Sequence, residues 1–449
     1  MRLITVLREL AQFALFRVRS LESGRMLILG YSSYILIGML ILALPLCRVD
    51  QAGNWLDWLF VAASAVSTTG LSTMSTGGDF TIWGQLTILV LIQLGGLGYM
   101  TTGSFVLLSV SGKLDPSREK TQRLVLNLPD KINLSSIVRL IMIYTLLVET
   151  AGAVLLWYFF REAGVPNALW SAIFHSISAF CTAGFSLYDD SLSAFAGNLP
   201  VNAIVCLLSL LGAMGFLIVH DVWKSLTSLK VHVTLTTRVI LASTFVLICA
   251  SCLLVRVEEP LFFNADGWLT AFFQVTSAST TVGFNTVPIS ELSNASLLVL
   301  IILMLVGASP AGTGGGIKTT TVTALWAVMA CVLRRSHAPT FAGKLIPEAR
   351  RRIAVATAFF YILMLCVGLY LLCVFQSGAF SDILFECVSA LGTVGLSTGL
   401  TGELNAPGKL IVTALMIIGR VGPLLLASSL FFSPAPPPPA PLKEEDVVV

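Results

Sequence analysis

Charge is what this chain has least of. Its 449 residues include 27 Lys or Arg and 24 Asp or Glu, 11% in all, where a soluble domain carries about 25%. Four scattered histidines supply no H-E-x-x-H helix and no triad. The nine cysteines form no Cys/His ligand cluster, and most lie in apolar segments, where a free thiol acts as a small hydrophobe. Neither a disulfide framework, a structural metal nor a covalently bound cofactor is expected, and nothing points to a nucleic-acid partner. A short apolar core followed by a small-residue cleavage site is also missing, so no removable signal peptide is read. A paired nucleophile and base is not found either, which argues against an intramembrane enzyme.

What remains is apolar: 56% of residues are hydrophobic, and mean hydropathy is +0.88. Runs near 26–46, 82–110, 137–160, 200–223, 239–255, 295–333, 353–375 and 408–432 approach or exceed the roughly 20 residues that cross a bilayer as a helix. A multi-pass, all-α membrane protein embedded in a lipid bilayer is expected. Between the runs lie four stretches of medium hydrophobicity, and each ends in a glycine string: "SAVSTTGLST" (64–73), "SAFCTAGFSL" (178–187), "SASTTVGFNT" (277–286) and "SALGTVGLST" (389–398). They share the frame F-x-x-x-S-A-x-x-T-x-G-[LF]. Phe60, Phe174, Phe273 and Phe385 each stand ten residues before Gly70, Gly184, Gly283 and Gly395. Four copies in register define a fourfold internal repeat.

Each repeat reads as an apolar helix, a half-length helix of about ten residues, the glycine string and a second apolar helix. A half-length helix cannot span, so all four strings should lie toward one face. Basic residues support this orientation: 21 of the 27 fall in the N-terminal segment, the between-repeat loops and the tail. By the positive-inside rule the termini are cytoplasmic and the strings face outward. The boundaries expected are a basic amphipathic segment at 1–25, repeats at 26–112, 113–224, 225–335 and 336–432, and a proline-rich disordered tail at 433–449.

Irregular backbone at membrane depth survives only where protein buries it or a water-filled cavity receives it. Four equivalent loops around one pseudo-fourfold axis meet that condition by enclosing a pore. Glycine at each turn permits positive φ and lets carbonyl oxygens replace a cation's hydration shell. Thr68, Thr182, Thr281 and Thr393, two residues before each glycine, can add oxygens, and half-helix C-termini also favour a cation. The alternative, small residues serving only close helix packing, does not account for four copies in fixed register. The direct repeats, with their strings on one side, also argue against an organic-solute transporter built on inverted repeats.

"GTVGLST" and "TTVGFNT" resemble the potassium-channel filter signature, reduced to one glycine per loop. The fourfold repeat in one chain is similar to the KtrB/TrkH/HKT superfamily of potassium transporters, most like the bacterial KtrB branch. The resemblance covers nearly all of 26–432. It implies a K+ selectivity filter at Thr68-Thr69-Gly70, Thr182-Ala183-Gly184, Thr281-Val282-Gly283 and Thr393-Val394-Gly395, with glycine at all four positions implying K+ over Na+. It also implies Na+ as an activating ion, a homodimer, and a cytosolic KtrA-like ring of nucleotide-binding regulatory subunits. A sodium-preferring or non-selective transporter of the same superfamily is the alternative.

The second apolar helix of each repeat carries a small-residue cluster, beginning at Gly95, Gly212, Gly307 and Gly419, that suits either close packing or a hinge. In the third repeat, Gly307-Ala308-Ser309-Pro310-Ala311-Gly312-Thr313-Gly314-Gly315-Gly316 is too rich in glycine and proline for a continuous helix. Ile317 before Lys318 breaks the phosphate-loop pattern. An unwound segment below the strings fits better, and the resemblance implies that it gates the pore. Arg420 is a charge at membrane depth. The resemblance places it under the filter as a barrier and an anchor for the loop; a pairing with Glu149 is the competing reading. Lys318 is expected near the inner mouth, bonded to backbone carbonyls. Asp57 and Glu386 read as capping or hydrogen-bonded groups.

Overall fold

The computed structural model describes residues 23–50, 52–98, 101, 104–105, 134–227, 233–259, 267–310, 312–336, 338–341, 343–422 and 426. The expected N-terminal amphipathic segment, most of the loop after 105 and the proline-rich tail lie outside these residues. Among the described residues every apolar run carries helix. The first apolar helices of the four repeats are α1 (Ser23–Leu42), α4 (Leu134–Glu162), α8 (Leu235–Glu258) and α12 (Glu348–Phe375). The half-length helices are α2 (Trp55–Ser67), α5 (Ala168–Phe180), α9 (Gly267–Thr280) and α13 (Phe380–Gly392). The helices after the strings are α3 (Ile82–Leu97), α6 (Leu199–Ala213), α10 (Asn294–Leu305) and α14 (Ala406–Val421). Helices α7 (Phe216–Thr227) and α11 (Thr319–Leu333) continue α6 and α10 beyond breaks. A two-stranded hairpin, β1 (Thr340–Phe341) and β2 (Lys344–Leu345), precedes α12.

The helices after the strings start alike. Thr81, Asn198, Ser293 and Asn405 each accept a hydrogen bond from the backbone N–H three residues on, satisfying a donor that the helix cannot pair internally. All four helices are shorter than a membrane span, at 16, 15, 12 and 16 residues. Three stop at Gly98, Gly215 and Gly422, whose φ values of 80°, 86° and 93° take the chain out of helix. The third repeat has Pro310 at the corresponding position. Between α6 and α7 the axis bends by 96°.

Three helices among the described residues are long and apolar enough to cross a membrane unaided: Leu134–Glu162, Thr236–Glu258 and Glu348–Phe375. The second helices of the repeats end short of that length, and α6 with the part of α7 from Ile218 to Ser225 passes the same test only as a bent pair. The small-residue clusters pack closely and then end their helices. A Cβ on Gly95, Gly212 or Gly419 would come within 2.1, 1.8 or 2.1 Å of the Val66, Phe180 or Leu391 carbonyl oxygen. Glycine therefore lets each of these helices touch the end of its own half-length helix, and three residues later glycine ends the helix.

Packing closes on itself. Each half-length helix packs against the helix that follows it in its own repeat. It also packs against the corresponding helix of the preceding repeat: α3 on α5, α6 on α9, α10 on α13, and α14 back on α2. Phe60, Phe174, Phe273 and Phe385 are buried to 1% exposure or less, one in each half-length helix. A C-x-x-C spacing, Cys249 to Cys252, lies inside α8 with both thiols free.

Candidate functional site

Each glycine string begins as a helix C-terminus. Thr68, Thr182, Thr281 and Thr393 take left-handed φ values of 54°, 51°, 59° and 49°. Their N–H groups donate to carbonyls three residues back, and those of Thr69, Ala183, Val282 and Val394 to carbonyls five residues back, over 2.8–3.3 Å. This is the Schellman closure, written four times with threonine where glycine or asparagine is usual. A β-branched residue at positive φ is strained, and such strain concentrates at functional positions.

Two residues later the glycines meet one another's chains. A Cβ on Gly70 would lie 2.4 Å from the Ala183 oxygen, one on Gly184 2.3 Å from Val282, one on Gly283 2.1 Å from Val394, and one on Gly395 2.1 Å from Thr69. The order runs from the first string to the fourth and returns to the first. With φ between 67° and 96° at all four, any side chain there would be strained as well as crowded.

The serine of the common frame has two settings. Ser64 and Ser389 accept from Gly70 N–H and Gly395 N–H at 3.0 and 3.1 Å. Ser178 and Ser277 instead donate to the Phe185 and Phe284 carbonyls at 2.8 and 2.6 Å. The choice follows the residue after the glycine, which is Leu in the first pair of strings and Phe in the second.

On one side the four glycines line a cavity of about 550 Å³ whose described walls include Asp79, Asp189 and Asp190 and no basic residue. Basic groups on this face are engaged elsewhere. The Arg48, Arg161 and Arg256 guanidiniums lie over the Trp58, Trp157 and Trp268 rings at 4.2, 6.0 and 5.6 Å. Lys409 Nζ pairs with Asp57 Oδ1 at 2.5 Å. Asp57 also completes a capping box with Asn54 and accepts from Thr73 Oγ1 at 2.9 Å. Glu386 accepts from Ser397 and Thr401. His175 is locked between the Ser171 carbonyl at 2.7 Å and Ser186 Oγ at 3.0 Å, with Tyr188 stacked on it at 5.0 Å.

On the other side lies the segment between α10 and α11. Ala311 falls outside the described residues; the rest forms a loop whose ends are tied by a Val306–Ile317 bridge and an Ala308 N–H to Gly315 bond of 3.2 Å. Ser309 and Thr313 N–H groups reach the Ala213 and Gly212 carbonyls, and half-buried Pro310 follows Ser309. Gly312 also abuts Ala213, where a Cβ would approach to 2.4 Å. The loop touches the strained threonines directly. Thr182 Oγ1 donates to Thr313 Oγ1 at 3.1 Å, and Gly315 N–H donates to Thr281 Oγ1 at 3.0 Å. Cβ atoms at Gly314 and Gly315 would collide with Thr281 and Thr393 Oγ1, and Gly316 (φ 69°) lies against Gly307. Thr68 and Thr393 hydroxyls, fully buried, have no hydrogen-bond partner among the described residues. Two of the four threonine hydroxyls are thus bonded to the loop and two are open.

Arg420 pins the loop from α14. Its guanidinium donates to the Thr313 carbonyl and to the carbonyls of Gly95 and Gly96. Lys318 Nζ donates to the Gly314 carbonyl at 2.6 Å. Glu149 is not the partner of Arg420: its carboxylate accepts from Gln93 Nε2 at 3.1 Å and Cys181 Sγ at 3.7 Å. No sequence motif marks the left-handed threonines, the two serine settings or the Asp57–Lys409 pair; only the threonine's invariance across the four frames hints at the first.

The sequence profile of TrkH, described as a cation transport protein, matches residues 32–437. The chain belongs to the TrkH cation-transport family. The Ktr system potassium uptake protein B of Vibrio alginolyticus is 35% identical, over 90% of each chain. The potassium/sodium uptake protein NtpJ of Enterococcus hirae is 33% identical, over 92% of this chain and 94% of its own. The crystal structure of the potassium transporter TrkH from Vibrio parahaemolyticus superposes with a TM-score of 0.72 at 21% identity, covering 91% of this chain and 84% of that one. Membership in the TrkH family makes this chain a multi-pass membrane cation transporter and not an enzyme.

Proposed function

We propose that the chain is the K+-conducting membrane subunit of a Ktr-type uptake system. Its four sequence repeats surround one pseudo-fourfold pore, and the glycine strings form the selectivity filter. The observation that carries this reading is the cyclic approach of each glycine to the next string's carbonyl oxygen. Four oxygens, those of Thr69, Ala183, Val282 and Val394, can then replace hydration water around one dehydrated cation. The acidic cavity beside the glycines raises the local cation concentration, and the few basic groups on that face are held by tryptophans or by Asp57.

Gly307–Gly316, with Lys318 and Arg420, is the gate. The loop lies against the filter threonines, and its removal from the path requires breaking the Arg420, Thr182 and Thr281 bonds. The Vibrio alginolyticus relative is named as part of a Ktr system, and NtpJ is described as taking up potassium and sodium. A protein named as one part of a system works with other components; on the resemblance to KtrB, these are a second copy of the chain and a cytosolic nucleotide-binding ring, with Na+ as an activating ion. The cytoplasmic placement of the termini rests on the distribution of basic residues.

Uptake of K+ and Na+ by cells lacking their own K+ importers tests the reading. Expression should restore growth at low K+ and produce K+ uptake that Na+ stimulates. Uptake of Na+ with no preference for K+ would favour the sodium-preferring alternative.

A further inference from the structure

A groove of about 1050 Å³ runs along the outside of the third repeat, between α8 and α11. Its walls are apolar, with Ala242, Val246, Leu247, Val322 and Trp326 along its length. At one end stand Arg238, near the start of α8, and Lys344, on the hairpin before α12; none of the described lining residues is acidic, and Asp221, behind the wall, accepts from Thr234 and Thr237 at 2.6–2.8 Å. Both cations are exposed, as are Val246 at 61% and Trp326 at 59%. The other end reaches Val306 and Thr319, the residues flanking the loop on either side. Leu247 and Thr319 also line a small recess behind Gly307, Ala308 and Ser309.

We propose that this groove binds one anionic phospholipid. Arg238 and Lys344 hold its phosphate, and an acyl chain runs along α8 and α11 toward the back of the loop. Paired cations at one end of an apolar channel between membrane helices match an anionic headgroup with its chain. A zwitterionic lipid offers the same chain, but its own cation opposes both basic groups. A second copy of this chain is a poorer occupant. In a twofold contact the same patch meets itself, which would bring two Arg238–Lys344 pairs toward one another with no acid among the described lining residues to separate them. Val306 and Thr319, which flank the segment assigned as the gate, form part of the groove wall, so the bound chain reaches the residues on either side of that segment. Lipid binding itself does not depend on that assignment.

The test is lipid retention by the full-length purified protein, read by native mass spectrometry after exchange into mixed phosphatidylglycerol and phosphatidylcholine of identical chains. Phosphatidylglycerol should be retained at least tenfold over phosphatidylcholine. Arg238→Gln with Lys344→Gln should remove that preference, and Arg238→Lys should keep most of it. Ala242→Trp, which fills the groove, should lower retention of both lipids while the protein stays monodisperse. Equal retention of the two lipids by the unmodified chain overturns the proposal, as does an unchanged preference in the double variant. If Ala242→Trp splits a dimer and leaves lipid retention intact, a second copy occupies the groove and the proposal falls. None of these readouts requires transport, so failure of the K+ assignment would be distinguishable from failure of this one.

Discussion

A serine at position 283 would carry its Cβ to 2.1 Å from the Val394 oxygen, on a backbone at φ 84°. The oxygen belongs to a neighbouring string's main chain, so the ring must widen locally to admit it. Gly283→Ser should raise the KM for K+ by about tenfold or more, equivalent to about 1.4 kcal/mol, and narrow the preference over Na+. Normal membrane abundance with unchanged kinetics would sink the filter assignment. Arg420 works by different means. Hydrogen bonds from a charged donor contribute about 1.5–3 kcal/mol, and here they hold the loop's Thr313 to Gly95 and Gly96. Arg420→Ala should therefore raise K+ flux by about tenfold where loop opening limits transport. Unchanged or lower flux in a folded variant would argue against the anchoring role.

At the scale of elements, the loop and the half-length helices share a set of hydroxyls. Thr182 and Thr281 are bonded to the loop, whereas Thr68 and Thr393 are open. Thr313→Val keeps the shape and removes the hydroxyl that meets Thr182. It should favour the open loop by about 1 kcal/mol, a several-fold rise in flux with little change in KM; a large KM change instead would place Thr313 in the permeation path. Much of this level was legible beforehand. The ten-residue step from Phe to Gly marked where each half-length helix turns, because a buried anchor and a turn recur at a spacing set by helix rise. Glycine and proline content marked the loop, since no helix tolerates that density. What could not be read was which groups the loop touches. Thr313 reaches Thr182 across 131 positions of sequence, and no local pattern encodes a contact made by the closing of distant elements. The helix ends at Gly98, Gly215 and Gly422 were hidden for a related reason. Glycine in an apolar run looks the same whether it packs or turns, and only φ separates the two.

Over the whole molecule, one junction differs from the rest because it joins the fourth repeat to the first. Helix α14 packs on α2, and Lys409 meets Asp57 across 352 positions. The pair is largely buried, with the side chains 16% and 9% exposed. Removing one partner leaves the other partly uncompensated, although Asn54 and Thr73 still donate to Asp57. Lys409→Met should cost about 1–3 kcal/mol, seen as a lower melting temperature in detergent, while Lys409→Arg should retain most of the stability. A melting curve unaffected by Lys409→Met would show that apolar packing alone closes the cycle.

That closure also has a genetic consequence. In a ring assembled from four identical subunits, one codon change strikes every quarter at once. In the proposed pore one gene spells each quarter separately, so a mutation lands on a single side and leaves three intact. The quarters have already diverged, with Thr69, Ala183, Val282 and Val394 at one shared position. Inheritance can therefore adjust such a ring in steps of one quarter.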